Sequence, residues 1–334
     1  MFAQKITVAL ALLVGAASAV SFSADSTAQK YMWEEFKSEH GKRYATMEEE
    51  STRFGNFLAT LKLIDARNAK ETGTAVHGLN KFADLSQEEF KARYLNYVHD
   101  PAAAANRTKA TGLVDLKDGA VQDWTGVYTT PVKDQGYCGS CWAFSVTEQT
   151  ESDFMRAGGA QTILSAQQVT SCTQYILAAV GGCAGGKPET GYTYAEGGLE
   201  TDADYPYTSG DKGVTGTCQS DPSKFVVKTT SYTNVANSAS DEAKMGSYVA
   251  GTGPLSIVVD ASEWSTYTGG IMTTCGQDLD HAVQAVGINT EEGYWKVRNS
   301  WGTSWGESGF IRLAYGKDMC GIASDANYAD ATSM

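Results

Sequence analysis

The chain carries two kinds of hydrophobic spacing, and they divide it. Tyr31, Trp33 and Phe36, then Phe54, Phe57, Leu58, Leu61 and Ile64, recur within a charged, cysteine-free stretch at the three- and four-residue steps of a helix face. This predicts a small helical module over residues 20–100. Within it, Gly78-Leu79-Asn80-Lys81-Phe82-Ala83-Asp84 breaks the period after a turn, and Ser86 with Glu89 has the spacing of a capping box opening a short helix. A Pro-Ala-Ala-Ala-Ala run and the sequon Asn106-Arg107-Thr108 follow, a pattern that builds no core and reads as an exposed, cleavable linker over 101–117. A helical period returns at Cys141 and runs through Trp142, Val146, Gln149, Phe154 and Met155 with no Gly or Pro before Gly158-Gly159. It predicts one amphipathic helix of about four turns. Farther on the step falls to two: Leu255, Ile257 and Val259 alternate, as do Trp295 and Val297, and more weakly Phe310, Arg312 and Ala314. The expectation is a helical lobe beside a β lobe, an α+β unit over 118–334 with a cleft between the lobes where a site can form.

Length and composition narrow the class. The 334 residues leave room for a leader, an accessory segment and a main unit of about 220 residues. Residues 1–19 read as a secretory signal: Lys5, the apolar run Ile6 to Val14, then Ala17-Ser18-Ala19. That run is too short to cross a bilayer core of about 30 Å, and no later stretch is longer and as apolar. The chain is therefore expected to be soluble, to enter the secretory pathway and to meet oxidising conditions. The net charge is −13, and all of the acidic excess lies after Leu113. Such a balance argues against nucleic acid or an anionic membrane as partner and is compatible with an acidic compartment. All seven cysteines, Cys138, Cys141, Cys172, Cys183, Cys218, Cys275 and Cys320, fall after residue 130. For a secreted chain that arithmetic gives three disulfides and one thiol left over.

The chemistry centres on Gln135-Gly136-Tyr137-Cys138-Gly139-Ser140-Cys141-Trp142. Cys141 falls at the start of the predicted helix, where free N–H groups favour a thiolate over a thiol. A Cys-x-x-Cys pair alone is more often a redox couple, half a metal site or a structural bridge. A cysteine nucleophile needs a base held rigidly near it. Of four histidines, His40, His77, His99 and His281, only His281 lies in the main unit. It follows Asp280 and opens the apolar run Ala282-Val283-Gln284-Ala285-Val286-Gly287.

At these residues the chain resembles the papain-like cysteine proteases, cathepsin L-like members above all. Cys-Gly-Ser-Cys-Trp matches their signature, and the likeness covers nearly everything after the leader. It implies a two-lobed fold, a helical left lobe and a β-barrel-like right lobe, preceded by a helical inhibitory propeptide over 20–117. It implies a cysteine endopeptidase without cofactor or metal, with Cys141 as nucleophile and His281 as base. Asn299 would orient the imidazole, Trp301 would shield that bond, and Gln135 would complete an oxyanion hole with the Cys141 N–H. The same resemblance implies the pairs Cys138–Cys183, Cys172–Cys218 and Cys275–Cys320. Gly185 and Gly186 match the main chain that pairs with extended substrate. Lys187, Pro188, Val258, Leu279 and Asp280 would line the cleft beside the S2 pocket, with Asp325 at its floor, where an acid favours Arg as well as Phe at P2. In the accessory segment Glu49, Arg53, Phe57, Ile64 and Asn68 fit one propeptide motif, from which Asn56 and Thr60 depart. Gly78, Asn80, Phe82 and Asp84 fit a second. Implied partners are protein and peptide substrates, the chain's own propeptide and cystatin-like inhibitors, with the enzyme a monomer in a lysosome-like compartment or outside the cell. The rivals are a catalytically silent homologue acting in storage or binding, a thiol–disulfide oxidoreductase using Cys138 and Cys141, and a zinc site, for which one histidine and bridged cysteines leave too few ligands.

Overall fold

The computed structural model describes residue 22 and residues 25–98, 109–113, 116–177 and 181–334. The expected leader and the sequon at Asn106 lie outside the described residues. Two helices open the N-terminal segment, α1 (Ser26–Glu39) and α2 (Met47–Lys70). Asp25 accepts from the Thr27 N–H and Thr46 from the Glu49 N–H, each satisfying one donor that a helix start leaves unpaired. Trp33 and Phe36 of α1 meet Phe57 and Leu61 of α2 in a sealed cluster, and Trp33 stacks on Tyr44 at 5.6 Å. Burying each such ring contributes roughly 2–3 kcal/mol, which holds so small a module together. Tyr31, grouped with this stripe by its spacing, is 65% exposed, because residues two apart on a helix do not share a face. Beyond α2 come the two-residue strand β1 (Val76–His77), a turn, and α3 (Gln87–Tyr94), which opens on the expected capping box between Ser86 and Glu89.

The larger unit begins with β2 (Val121–Asp123) and then gathers helices α4 (Cys141–Arg156), α5 (Ala166–Leu177), α6 (Pro188–Ala195) and the single turn α7 (Ser209–Lys212). Next are β3 (Val227–Ala236), α8 (Glu242–Gly251), which the hydrophobic pattern did not suggest, and β4 (Leu255–Val259). The chain ends with β5 (Tyr267–Gly269), β6 (Ile271–Met272), β7 (His281–Asn289), β8 (Tyr294–Arg298), β9 (Phe310–Ala314) and β10 (Ala326–Ser333). One sheet orders them β3-β10-β4-β7-β8-β9-β6, with β2 added beside β7, and its pairs are antiparallel except β6 with β9. The strand β1 pairs antiparallel with β5, so the N-terminal segment contributes a strand to the larger unit.

Alternation in β4 predicted one dry face, yet all five of its residues are buried. Leu255, Ile257 and Val259 enter the large core of the β lobe. Val258 enters the core of the helical lobe, and the Ser256 hydroxyl lies 2.7 Å from that of Ser145 on α4. The strand is walled on both sides. The amphipathic reading of α4 needs a similar correction, since every residue from Cys141 to Asp153 is buried. Its polar face meets other buried polar groups instead of water: Glu148 faces the Arg298 guanidinium at 3.5 Å, and Glu151 accepts from Thr130, Lys133 and the Leu164 N–H.

Candidate active site

Cys141 is the first residue of α4, between the two cores, and has no disulfide partner. The other six cysteines pair as Cys138–Cys183, Cys172–Cys218 and Cys275–Cys320. Main-chain N–H groups of Ala282, Asn96 and Trp142 act on the Cys141 sulfur. Ala282 is the second residue of β7, so the strand that carries His281 is the one pressed against the head of α4. Pairing of Val259 with His281 and Val258 with Ala282 fixes the register of that strand end.

His281 is fully buried, and its Nε2 lies 2.8 Å from Asn299 Oδ1. An amide oxygen only accepts, so the ring proton sits on Nε2 and Nδ1 keeps the lone pair needed by a base. The same oxygen accepts the Ser300 N–H at 2.8 Å, which locks the amide. Trp301 stacks over the imidazole at 4.8 Å and keeps water from the bond. Gln135 accepts from the Ser300 hydroxyl at 2.7 Å through Oε1, which turns its amide nitrogen the other way. That nitrogen donates to the carbonyls of Cys138 at 3.0 Å and Tyr94 at 3.3 Å.

The Tyr94 carbonyl belongs to the N-terminal segment, which fills the groove beyond α3. Asn96 passes over the sulfur so closely that a Cβ on Gly139 or Gly185 would come within 2.3 or 2.1 Å of its atoms. Tyr97 pairs in parallel with Gly186 and donates its N–H to the Asp280 carbonyl at 3.0 Å; Val98 donates to the Gly186 carbonyl at 3.3 Å. The Tyr97 ring shares a cluster with Val258 and Leu279, and its hydroxyl reaches the buried Asp325 carboxylate at 3.3 Å. Asn327 holds the other oxygen of that carboxylate at 2.6 Å. Lys187 and Pro188 stand one step past Gly186, where α6 begins. Under this cover the thiol and the imidazole are both held neutral. Burial pushes the Cys141 thiol up to about 11, and it lowers His281 to about 4 against the opposing pull of Asn299 and the Tyr94 carbonyl. Burial likewise raises Asp280 to about 7.

A second station anchors the segment away from the cleft. Arg67 donates to Ser265 at 2.9 Å, Thr266 at 2.8 Å and the Ser262 carbonyl at 3.0 Å, and Asn80 donates to the Ser265 carbonyl. His77 Nδ1 lies 2.9 Å from the Thr266 hydroxyl, while its buried Nε2 has no hydrogen-bond partner among the described residues. Asn56, one of the two departures from the propeptide motif, donates to the Asp84 carbonyl and to Glu89, beside Arg53. Sequence reasoning did not single out Asn96, Tyr97, Arg67 or His77. The first two act largely through main-chain groups that any residue supplies, and no periodicity marks them.

Comparison with known proteins agrees with this geometry. Residues 119–330 match the family described as papain family cysteine protease, and residues 33–90 match the cathepsin propeptide inhibitor domain. A cathepsin L-like proteinase of Phaedon cochleariae is 37% identical, covering 97% of this chain and 99% of its own length. Oryzain gamma chain of Oryza sativa subsp. japonica is 38% identical, covering 88% of this chain and 81% of its own. Among solved structures, digestive procathepsin L2 from the larval midgut of Tenebrio molitor superposes with a TM-score of 0.79 at 30% identity, covering 90% of this chain and 99% of that one.

Proposed function

The chain belongs to the papain family of cysteine proteases, as a cysteine endopeptidase made in a proform with its own inhibitory propeptide, and from that premise we propose which residues do the work. Cys141 as thiolate adds to the carbonyl carbon of the scissile peptide. The developing oxyanion takes hydrogen bonds from Gln135 Nε2 and the Cys141 N–H, donors of a kind worth about 10²–10³ in rate. The His281 imidazolium gives its proton to the departing amine and leaves an acyl-enzyme. Imidazole then takes a proton from water, the hydroxide adds, and the thiolate leaves. Asn299 keeps the ring in register through both half-reactions, under Trp301. The observation that carries this reading is the 2.8 Å bond between His281 Nε2 and Asn299 beside the unbridged cysteine.

We assign residues 1–19 to a secretory signal, 20–117 to the propeptide and 118–334 to the peptidase, with removal of the propeptide near residue 118. Acid is the releasing agent, and Asp84 ties the segment's own fold through bonds from Lys42 at 2.7 Å and Tyr44 at 3.0 Å. The address is an acidic vesicle or the exterior. For substrates we assign the pocket of Tyr97 to P2. Asp325 accepts the Tyr97 hydroxyl there and would accept an Arg guanidinium at P2; Gly185 and Gly186 pair with the substrate main chain, flanked by Lys187, Pro188, Val258, Leu279 and Asp280. The test holds the purified proform at about pH 4.5 with reductant and assays a Phe-Arg reporter, with Cys141→Ala alongside. Loss of the propeptide mass and Cys141-dependent cleavage are expected. A correctly processed wild-type chain that stays inactive and takes no thiol-directed epoxide would make it a silent homologue. Asp325→Ala should lower cleavage after Arg at P2 relative to Phe; an unchanged ratio across pH removes that assignment.

A further inference from the structure

Ser140 occupies the N-cap position of α4, yet it does not cap. A capping serine has an extended backbone and gives its side-chain oxygen to the second or third N–H of its helix, as Ser86 and Thr46 do here. Ser140 has φ −97° and ψ 17° and makes no cap bond. Its hydroxyl lies 2.7 Å from the hydroxyl of Tyr207, which lies 2.9 Å from the Gln135 carbonyl. A carbonyl has no proton to give and a phenol has one, so the order follows: Ser140 donates to Tyr207, and Tyr207 donates to Gln135.

The surroundings fix this relay in place. The half-buried Tyr207 ring stands edge-on to Phe144 of α4 at 4.8 Å. The loop that follows is moulded onto the Gln135 loop. Tyr137 donates its N–H to the Gly210 carbonyl at 2.8 Å, and a Cβ on Gly210 would sit 2.8 Å from the Gln135 oxygen and 2.9 Å from the Tyr207 ring.

We propose that Tyr207 is a positioning residue for the oxyanion side of the reaction centre. Its oxygen takes the Ser140 hydroxyl at the head of α4, and with its own proton it holds the main chain of Gln135, the oxyanion donor. The inference rests on the assignment of Cys141 and Gln135 above.

The experiment compares wild type, Tyr207→Phe, Ser140→Ala and the double variant as processed enzymes, with active sites counted by a thiol-directed epoxide. Tyr207→Phe is expected to lower kcat about tenfold with KM within about twofold, since the interaction serves the transition state. The pH profile of Cys141 alkylation by iodoacetamide should stay in place, which separates a loss at the oxyanion from a disturbed thiol. Ser140→Ala should stay close to wild type, since Tyr207 keeps its bond to Gln135. The double variant should match Tyr207→Phe. The relay is overturned if Tyr207→Phe keeps the wild-type kcat, or if its loss appears in KM instead. Removing one oxygen leaves the ring packing intact. Should the titratable fraction of Tyr207→Phe fall, kcat per titrated site still reports the effect. Activity surviving in Cys141→Ala would instead remove the reading on which the relay stands.

Discussion

The carboxylates of α4 and those of the propeptide are held in opposite ways. Glu148 and Asp153 are sealed inside the peptidase, where burial raises both, Asp153 to about 7, against the opposing cations Arg298 and Arg156. Glu71 and Glu89 of the propeptide sit lower than ordinary glutamates. Burial works against them, but it is outweighed, for Glu71 by hydrogen bonds from Thr273, Gly73 and Thr274, and for Glu89 by those from Arg53 and the Ser86 N–H. The signs then diverge. A carboxyl whose folded value is depressed lends stability above its unfolded value, near 4.3 for glutamate, and loses it as pH falls through the folded one. A carboxyl whose folded value is raised carries a penalty at neutral pH that shrinks as pH falls through that value and is gone below the unfolded one. Acid therefore loosens the propeptide ties and relieves the peptidase. The acidic release proposed above rests on that difference in how the two regions hold their carboxylates.

His77 extends the contrast. Burial chiefly, with Arg67 beside it, lowers this imidazole to about 4, and Glu71 and Glu263 oppose the shift only in part. A detached histidine takes a proton near 6.5. Docking that requires it neutral is fully supported above that value and weakens as pH falls from about 6.5 toward 4.

The largest effect is expected where the buried side is broken. Arg298→Met leaves Glu148 without its cation and should destabilise the processed enzyme by about 3–5 kcal/mol at neutral pH, and by less near pH 4.5, where Glu148 carries its proton. Urea unfolding at the two pH values measures this, and an equal loss at both would mean that Glu148 is not the group relieved by acid. Next, His77→Leu removes the proton uptake that drives detachment, a factor of about 50–100 near pH 4.5. The pH midpoint of proform self-processing should move to lower values; an unmoved midpoint makes His77 a packing residue only. The smallest effect belongs to Glu71→Gln. It should move the same midpoint up by a few tenths of a pH unit, because it weakens at neutral pH, by about 1 kcal/mol, a contact that acid would otherwise break. Opposite signs for the two propeptide variants are what the comparison requires.

The parts of this molecule readable from its sequence are those where chemistry restricts residue type. A lone histidine in the main unit, an odd cysteine at a helix start and an Asn-Ser-Trp run leave little choice, and β7 announces itself as an apolar run broken only by Gln284. The capping box at Ser86 was equally plain, because its two bonds need those side chains at that spacing. Periodicity failed where both faces of an element are covered. It shows that α4 has a polar stripe, but not that Arg298, Lys133 and Thr130 wait for that stripe inside the protein. It counts Tyr31 with the aromatic stripe without knowing which way that residue turns. Asn56 looked like a flaw in a motif, but it donates to Asp84 and Glu89, acceptors 28 and 33 residues away, a distance that no local pattern spans.

The N-terminal segment grips at two stations, the β1 strap on β5 and the Asn96–Tyr97 plug in the groove, joined through α3. The plug is a few residues of extended chain, and the strap adds only the Arg67 and Asn80 bonds to its short strand pairing. Joined, each holds the other at an effective concentration in the millimolar range, so the pair binds as a bivalent ligand. A single nick between them would abolish that avidity while leaving every contact intact, and the inhibitor would come away as two weak pieces.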